Sequence, residues 1–131
     1  MYRRVVAYVV RDGALLVFDH RDVPEAGRQV PAGTVEAGEE PAVTVVREVH
    51  EETSVRARVV RELGFADTLG PRRGDPRRNI FFALSTDESR DEWEHVVHGG
   101  GGDDGLVFVC RFVPVNALPP LAGDEDFLHA L

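Results

Sequence analysis

Three carboxylates dominate the chemistry this chain can offer. Glu48, Glu51 and Glu52 follow Arg47 within the stretch Gly33–Val55, GTVEAGEEPAVTVVREVHEETSV. Positions 48 and 51 are three apart and 48 and 52 four apart, so on a helix all three project from one face. Like charges at these spacings cost a helix roughly 0.2–0.5 kcal/mol per pair. They also fall near the helix C-terminus, where the macrodipole disfavours each anion by about 0.3–1 kcal/mol. A hard divalent cation reverses the sign of both terms, because Mg²⁺ and Mn²⁺ are bound by clustered carboxylate oxygens. Taken alone, the paired glutamates are explained more simply by a solvated acidic helix face. The flanking residues change that balance.

The element that must position the carboxylates is predicted as a helix over Pro41–Thr53. Pro41 suits the first helical position, where its missing N–H costs nothing. Ala42, Val45, Val46 and Val49 recur at helical spacing as one apolar stripe. That stripe centres roughly 110–120° around the helix from the carboxylates, so one side packs on a core while the acidic side faces a cleft. Glu40 is a poor N-cap, the valines have middling helix propensity and no glycine closes the end. Packing of the stripe has to hold the helix.

The flanks carry a family pattern. The segment resembles the Nudix box, G-x5-E-x7-R-E-U-x-E-E-x-G-U with U an aliphatic residue. Gly33 fills the first glycine, Glu39 follows five residues later, and seven more lead to Arg47-Glu48 and Val49. Glu51-Glu52 and Val55 complete it. The one departure is Ser54, where the family has a glycine that ends the helix in a left-handed conformation. A non-glycine residue there costs on the order of 1 kcal/mol, which bears on the helix terminus and not on the carboxylates. Gln29-Val30-Pro31-Ala32 upstream extends the likeness.

The resemblance implies an α/β fold, the Nudix α/β/α sandwich with a mixed β-sheet between helices, spanning residues 1–131 as one domain. It implies metal-dependent hydrolysis of a nucleoside diphosphate linked to another moiety: ADP-ribose, a nucleotide sugar, a dinucleoside polyphosphate or an NTP. Glu48, Glu51 and Glu52 would hold Mg²⁺ or Mn²⁺, with the backbone carbonyl of Gly33 completing the site. One of the three would double as general base. Arg47 would pair with Glu39 and orient the glutamates, a supporting role for both. In some members the base comes from a late loop, for which Glu92, Glu94, His95, Asp103 and Asp104 are candidates here. Each of these also reads as an ordinary surface residue. His95 and His98 share one strand face, and Trp93 suits either a nucleobase or hairpin packing.

A second cluster is Arg72-Arg73-Gly74-Asp75-Pro76-Arg77-Arg78, predicted to lie in a loop over Asp67–Arg78. Arginine holds phosphate by bidentate hydrogen bonds, so Arg73, Arg77 and above all Arg78 are candidate substrate-binding residues; a solvated loop accounts for them equally. Pro71, 16 residues after Val55, resembles the spacing of ADP-ribose hydrolases, although a proline in such a loop is usually a turn.

Composition sets the outer limits. The net charge of −8 argues against non-specific nucleic-acid binding, and every one of the 15 basic residues is arginine. A hydrophobic share of 43% suits a globular core. No apolar run reaches membrane-spanning length, and Val5–Val10 reads as a first strand. The lone Cys110 forbids an internal disulfide and fits a cytoplasmic setting, most simply as a buried strand residue. The expected partner is therefore a small nucleotide-diphosphate substrate. A homodimer is compatible with the resemblance, whose members are often dimers.

The remaining elements read as strands over Arg3–Val10, Ala14–Asp19, Val55–Phe65 and Asn79–Ser85. A hairpin is predicted from Trp93–His98 and Leu106–Val113, with short extended pieces at Gln29–Pro31 and Thr34–Glu36 and a terminal helix capped by Asp124. Two other readings remain. A binding module of the same fold usually loses box glutamates, which this chain keeps. The isopentenyl-diphosphate isomerase branch needs a cysteine ahead of the box, and Cys110 lies behind it.

Overall fold

The structure, a computed structural model, describes residues 1–70, 74–99 and 102–131. Its frame grows from β1 (Tyr2–Arg11), in which Val5, Val6, Ala7, Tyr8 and Val9 are all buried. A strand apolar on both faces belongs in the middle of a covered sheet. β2 (Ala14–His20) returns through the turn at Asp12-Gly13, and β3 (Ala32–Thr34), β4 (Ala57–Leu69), β5 (Pro76–Thr86), β6 (Glu92–Val96) and β7 (Val107–Pro114) follow. Among the described residues these strands form one mixed sheet in the order β4-β5-β1-β2-β7-β6, with β3 beside β1. β1 and β5 run parallel from Tyr2–Arg77 to Val10–Ser85; the other pairs are antiparallel.

The sheet is not uniformly zipped. β1 and β2 pair only at Val10–Leu15 and Arg11–Ala14 and then part. The segment 29–34 fills the opening. Gln29 exchanges both backbone hydrogen bonds with Phe18, the Ala7 N–H donates to the Pro31 carbonyl, and β3 pairs with β1 from Arg4–Thr34 to Val6–Ala32. Two lobes result, β4-β5-β1-β3 and β2-β7-β6.

Each face has its own core. On one, α1 (Pro41–Thr53) sets Val45 and Val49 against Val5, Phe18, Ile80, Phe82, Phe108 and Cys110. On the other, Val6, Tyr8, Leu15, Val17 and Phe81 pack beneath the C-terminal segment through Leu118, Leu121 and Phe127. This is the expected α/β sandwich with a mixed sheet, but its second layer is made of irregular chain and 3-10 turns at Val115–Ala117 and Leu128–Ala130. The predicted terminal helix is thus corrected. Asp124 does not cap it: its φ is 57° and its carboxylate is occupied by Arg4, at 2.7 and 2.8 Å.

The predicted loop over Asp67–Arg78 is also too long. β4 continues to Leu69 and β5 starts at Pro76, which puts Arg77 and Arg78 in a strand. β4 lies at the sheet edge with irregularities between Val59 and Arg61 and between Glu62 and Gly64, so much of its length is exposed and patterned like a loop. In the helix, Ala42 is exposed; Thr44 and Thr53 are buried beside Val45 and Val49 instead.

Candidate active site

α1 begins and ends where the sequence predicts. Pro41 occupies its first turn and Glu40 makes no capping hydrogen bond. At the other end Ser54 adopts the left-handed conformation (φ 64°, ψ 6°), and its N–H donates to the His50 carbonyl. β6 and its approach then secure this terminus. The Trp93 indole N–H donates to the Thr53 carbonyl at 2.8 Å, and His95 Nε2 lies 2.8 Å from the Glu51 carbonyl. Arg90 donates to Ser54 Oγ at 3.0 Å and lies over the Trp93 ring. Last-turn carbonyls need such partners. Trp93 and His95 thus hold the helix end, while Glu92 and Glu94 pair with Arg111 and Arg21.

The carboxylates share one cavity of about 300 Å³, lined by Gly33, Thr34, Glu36, Arg47, Glu48, Glu51 and Glu52 and, from the late loop, His98, Gly99, Asp103 and Asp104. Two glycines in its wall stand directly against the acids. A Cβ on Gly33 would overlap the Glu48 carboxylate, and one on Gly99 would press on that of Glu51. Gly99 also has φ 126°. The Gly99 contact and the pocket position of His98 are missed by sequence reasoning. The expected shared strand face of His95 and His98 is corrected: residues three apart fall on opposite faces of a strand, and β6 ends at Val96, so His98 reaches the cavity from the chain beyond it.

Arg47 organises the acids. It grips Glu39 with two hydrogen bonds, 2.8 Å from Nε and 3.0 Å from Nη2. Its Nη1 reaches Glu48 at 3.1 Å and both Glu51 oxygens at 3.1 and 3.2 Å. Glu39 also accepts from the Glu36 N–H, and with Arg47 alongside its carboxyl is held down at about 2. Glu52 is buried and accepts from the Ala32 N–H at 2.9 Å. Burial pushes Glu52 well above the usual carboxylate range, with Glu48 and Asp103 adding to the rise. Burial lifts Glu48 to about 7; Arg47 opposes this and the Glu51 charge reinforces it.

One guanidinium therefore serves three glutamates, while Glu48 and Glu52 are held in water-poor positions that resist ionisation. Hard oxygen donors crowded on one turn fit a divalent cation of the Mg²⁺ kind. Among the described residues, no three acidic, histidine or cysteine side chains already converge as a ligand set, because Arg47 lies between Glu48 and Glu51. Of the other predicted site residues, Arg77 donates to Thr68 and Arg78 to Asp67, neither lining the cavity, and Arg73 lies outside the described residues. Cys110 is buried, and burial raises its thiol to about 12.

A glycine-bearing strand beneath a glutamate-bearing helix, in a split mixed sheet, defines a known class of α/β protein. The chain belongs to the Nudix family: the NUDIX domain model matches residues 1–130. Solved structures agree on the fold. An ADP-ribose pyrophosphatase from Streptococcus suis matches with TM-score 0.68 at 16% identity, over 98% of this chain and 84% of that one. A UDP-X diphosphatase matches with TM-score 0.66 at 21% identity, over 92% of this chain and 54% of that one. A MutT NUDIX hydrolase from Burkholderia pseudomallei gives 0.62 at 22%, over 92% and 88%. A curated relative, the CMP-5'-(N-acetyl-N-hydroxy-3-aminopropyl)phosphonate hydrolase of Streptomyces rubellomurinus, is 42% identical over 60 residues. That stretch is 45% of this chain and 29% of the relative, so the match spans less than a third of the relative's length. No helix among the described residues is long and apolar enough to cross a membrane.

Proposed function

We propose that this protein hydrolyses a diphosphate bond in a small nucleotide-like substrate, with Mg²⁺ or Mn²⁺ held by Glu48, Glu51 and Glu52 and the Gly33 carbonyl. The observation that carries the reading is the arrangement of Glu48, Glu51 and Glu52 around one cavity with Gly33 packed against the Glu48 carboxylate. When bound, such a cation neutralises the diphosphate and lowers the pKa of an attacking water. The chain's own residues do the rest. Arg47, anchored on Glu39, sets where Glu48 and Glu51 stand. The Ala32 N–H fixes Glu52. One of these carboxylates accepts the proton of the attacking water, and Asp103 and Asp104 reach the same cavity from the late loop.

The activities of similar proteins support a substrate in which a nucleoside diphosphate is joined to another group, or a cytidine nucleotide to a phosphonate. The deciding experiment follows product release from ADP-ribose, UDP-sugars, CMP-phosphonates, dinucleoside polyphosphates and NTPs, with Mg²⁺ or Mn²⁺ and with Glu52→Gln as control. Metal-dependent turnover that Glu52→Gln abolishes is expected. Binding without turnover across the panel would instead make this a nucleotide-binding module.

A further inference from the structure

The register of the sheet places a second, oppositely charged site beside the acidic cavity. β5, β1 and β3 align Ile80 with Val5 and Val5 with Gly33, and β4 adds Phe65 opposite Ile80. This row lies on the α1 face, since Val5 and Ile80 belong to that core and Gly33 backs onto Glu48. Two residues along each strand the side chains return to the same face, about 7 Å away. The next row is therefore Asp67, Arg78 and Arg3. Beside Arg3 runs Val35, whose N–H donates to the Arg3 carbonyl, and Thr34 and Glu36 on either side of it line the cavity. Arg77 falls on the opposite face.

Arg3 and Arg78 sit on neighbouring parallel strands, in register. Adjacent like charges are unfavourable without an anion between them. Arg78 is fixed: Asp67 accepts from its Nε and Nη2 at 2.8 and 3.0 Å, and its guanidinium lies 3.9 Å over the Phe65 ring. Its Nη1 makes no hydrogen bond among the described residues, and Arg3 is exposed with no carboxylate within ion-pair distance among them. Two guanidiniums against one carboxylate leave a net positive platform next to a net negative cavity. Phe65, 51% exposed, floors it.

We propose that Arg3 and Arg78 bind a phosphate group of the substrate, so that a phosphate-bearing chain bridges the acidic cavity and this platform. The inference rests on the hydrolase reading and names a specificity-determining pair for it. Aligned arginines are suited to phosphate because their N–H groups form charge-assisted bonds to several oxygens at once. The test uses Arg3→Ala, at an exposed position where folding is not at stake, and Arg78→Ala, with Arg58→Ala on the remote end of β4 as a control for net charge. On the best substrate of the panel, each platform variant should raise KM about ten- to a hundredfold with kcat within about twofold. Inhibition by inorganic phosphate should weaken in parallel, and Arg3→Lys should recover part of the loss. Mn²⁺ affinity measured by paramagnetic resonance should stay unchanged. Unaltered KM and phosphate inhibition in Arg3→Ala would overturn the proposal, as would an equal effect of Arg58→Ala. If the wild type turns over nothing, the hydrolase reading fails separately; calorimetric binding of ADP to wild type against Arg3→Ala still decides the platform.

Discussion

The two faces of the sheet treat buried charge in opposite ways. On the C-terminal face, Arg4 and Asp124 meet in a two-pronged pair, and Arg4 also donates to Asn79. Asn79 in turn donates to Ala66 and Thr68, and the Tyr8 hydroxyl donates to the Asp124 carbonyl at 2.6 Å. There the charges match and the network pins the tail. On the α1 face, three glutamates share Arg47, a fourth, Glu52, has none of it, and Glu48 and Glu52 resist ionisation where they stand. The difference separates a network that serves stability from one that holds unspent binding capacity. Closed charge accounts fasten a fold; open ones await a ligand.

The sharpest way to break this comparison is Glu52→Gln. Turnover is expected to fall roughly 10²- to 10⁴-fold, measured by product release. The metal-free variant should melt no lower than wild type, because a buried carboxyl that resists ionisation is replaced by a neutral amide of the same shape. A variant that loses activity only by unfolding would erase the distinction between the faces.

Next in size is the response to cation. Mg²⁺ at a hundred times its Kd is expected to add about 2.7 kcal/mol of stability, read from chemical denaturation, and a Glu48→Gln/Glu52→Gln double variant should lose that gain. The same crowding sets a pH trend in metal-free protein. Glu48 has its folded pKa raised to about 7 from an ordinary 4.5. Its contribution is therefore fully present below pH 4.5 and is lost as pH rises through 7. Metal-free stability measured from pH 4.5 to 8 should decline across that window, and a flat profile would show that Arg47 balances the cluster.

Asp124→Ala tests the matched face. It is expected to cost about 1.5–3 kcal/mol of stability, with kcat per folded molecule unchanged. Smallest is Ser54→Gly. Relief of the left-handed serine should gain about 1 kcal/mol, less the Arg90 hydrogen bond, seen as a rise of a few degrees in melting temperature.

What the sequence shows of this divides along physical lines. The helix Pro41–Thr53 and the shared face of its glutamates are legible, because proline placement and helical period are local. The order β4-β5-β1-β2-β7-β6 is not, because pairing is decided between residues far apart in the chain, as between Ala14 and Pro114 or Arg4 and Asn79. Asp124 has the chemistry of a helix cap and is claimed instead by Arg4 from the other end of the chain. The clasp of Trp93 and His95 on the helix end depends on the same long-range docking. Arg78 is legible as a basic residue, but only the register separates it from Arg77 and brings Arg3 to its side.

The parting of β1 from β2 has a consequence for how such a protein changes its diet. The two lobes meet in a ladder two residue pairs long, and segment 29–34 is wedged between them. That segment works as a shim. Its thickness sets the spacing between the lobe that carries Arg3 and Arg78 and the lobe that carries His98 and Asp103. The same segment carries Ala32, whose N–H holds Glu52, and Gly33, which backs onto Glu48, so a substitution that regauges the gap also touches the acids: here substrate size and chemistry are tied to one short piece of chain.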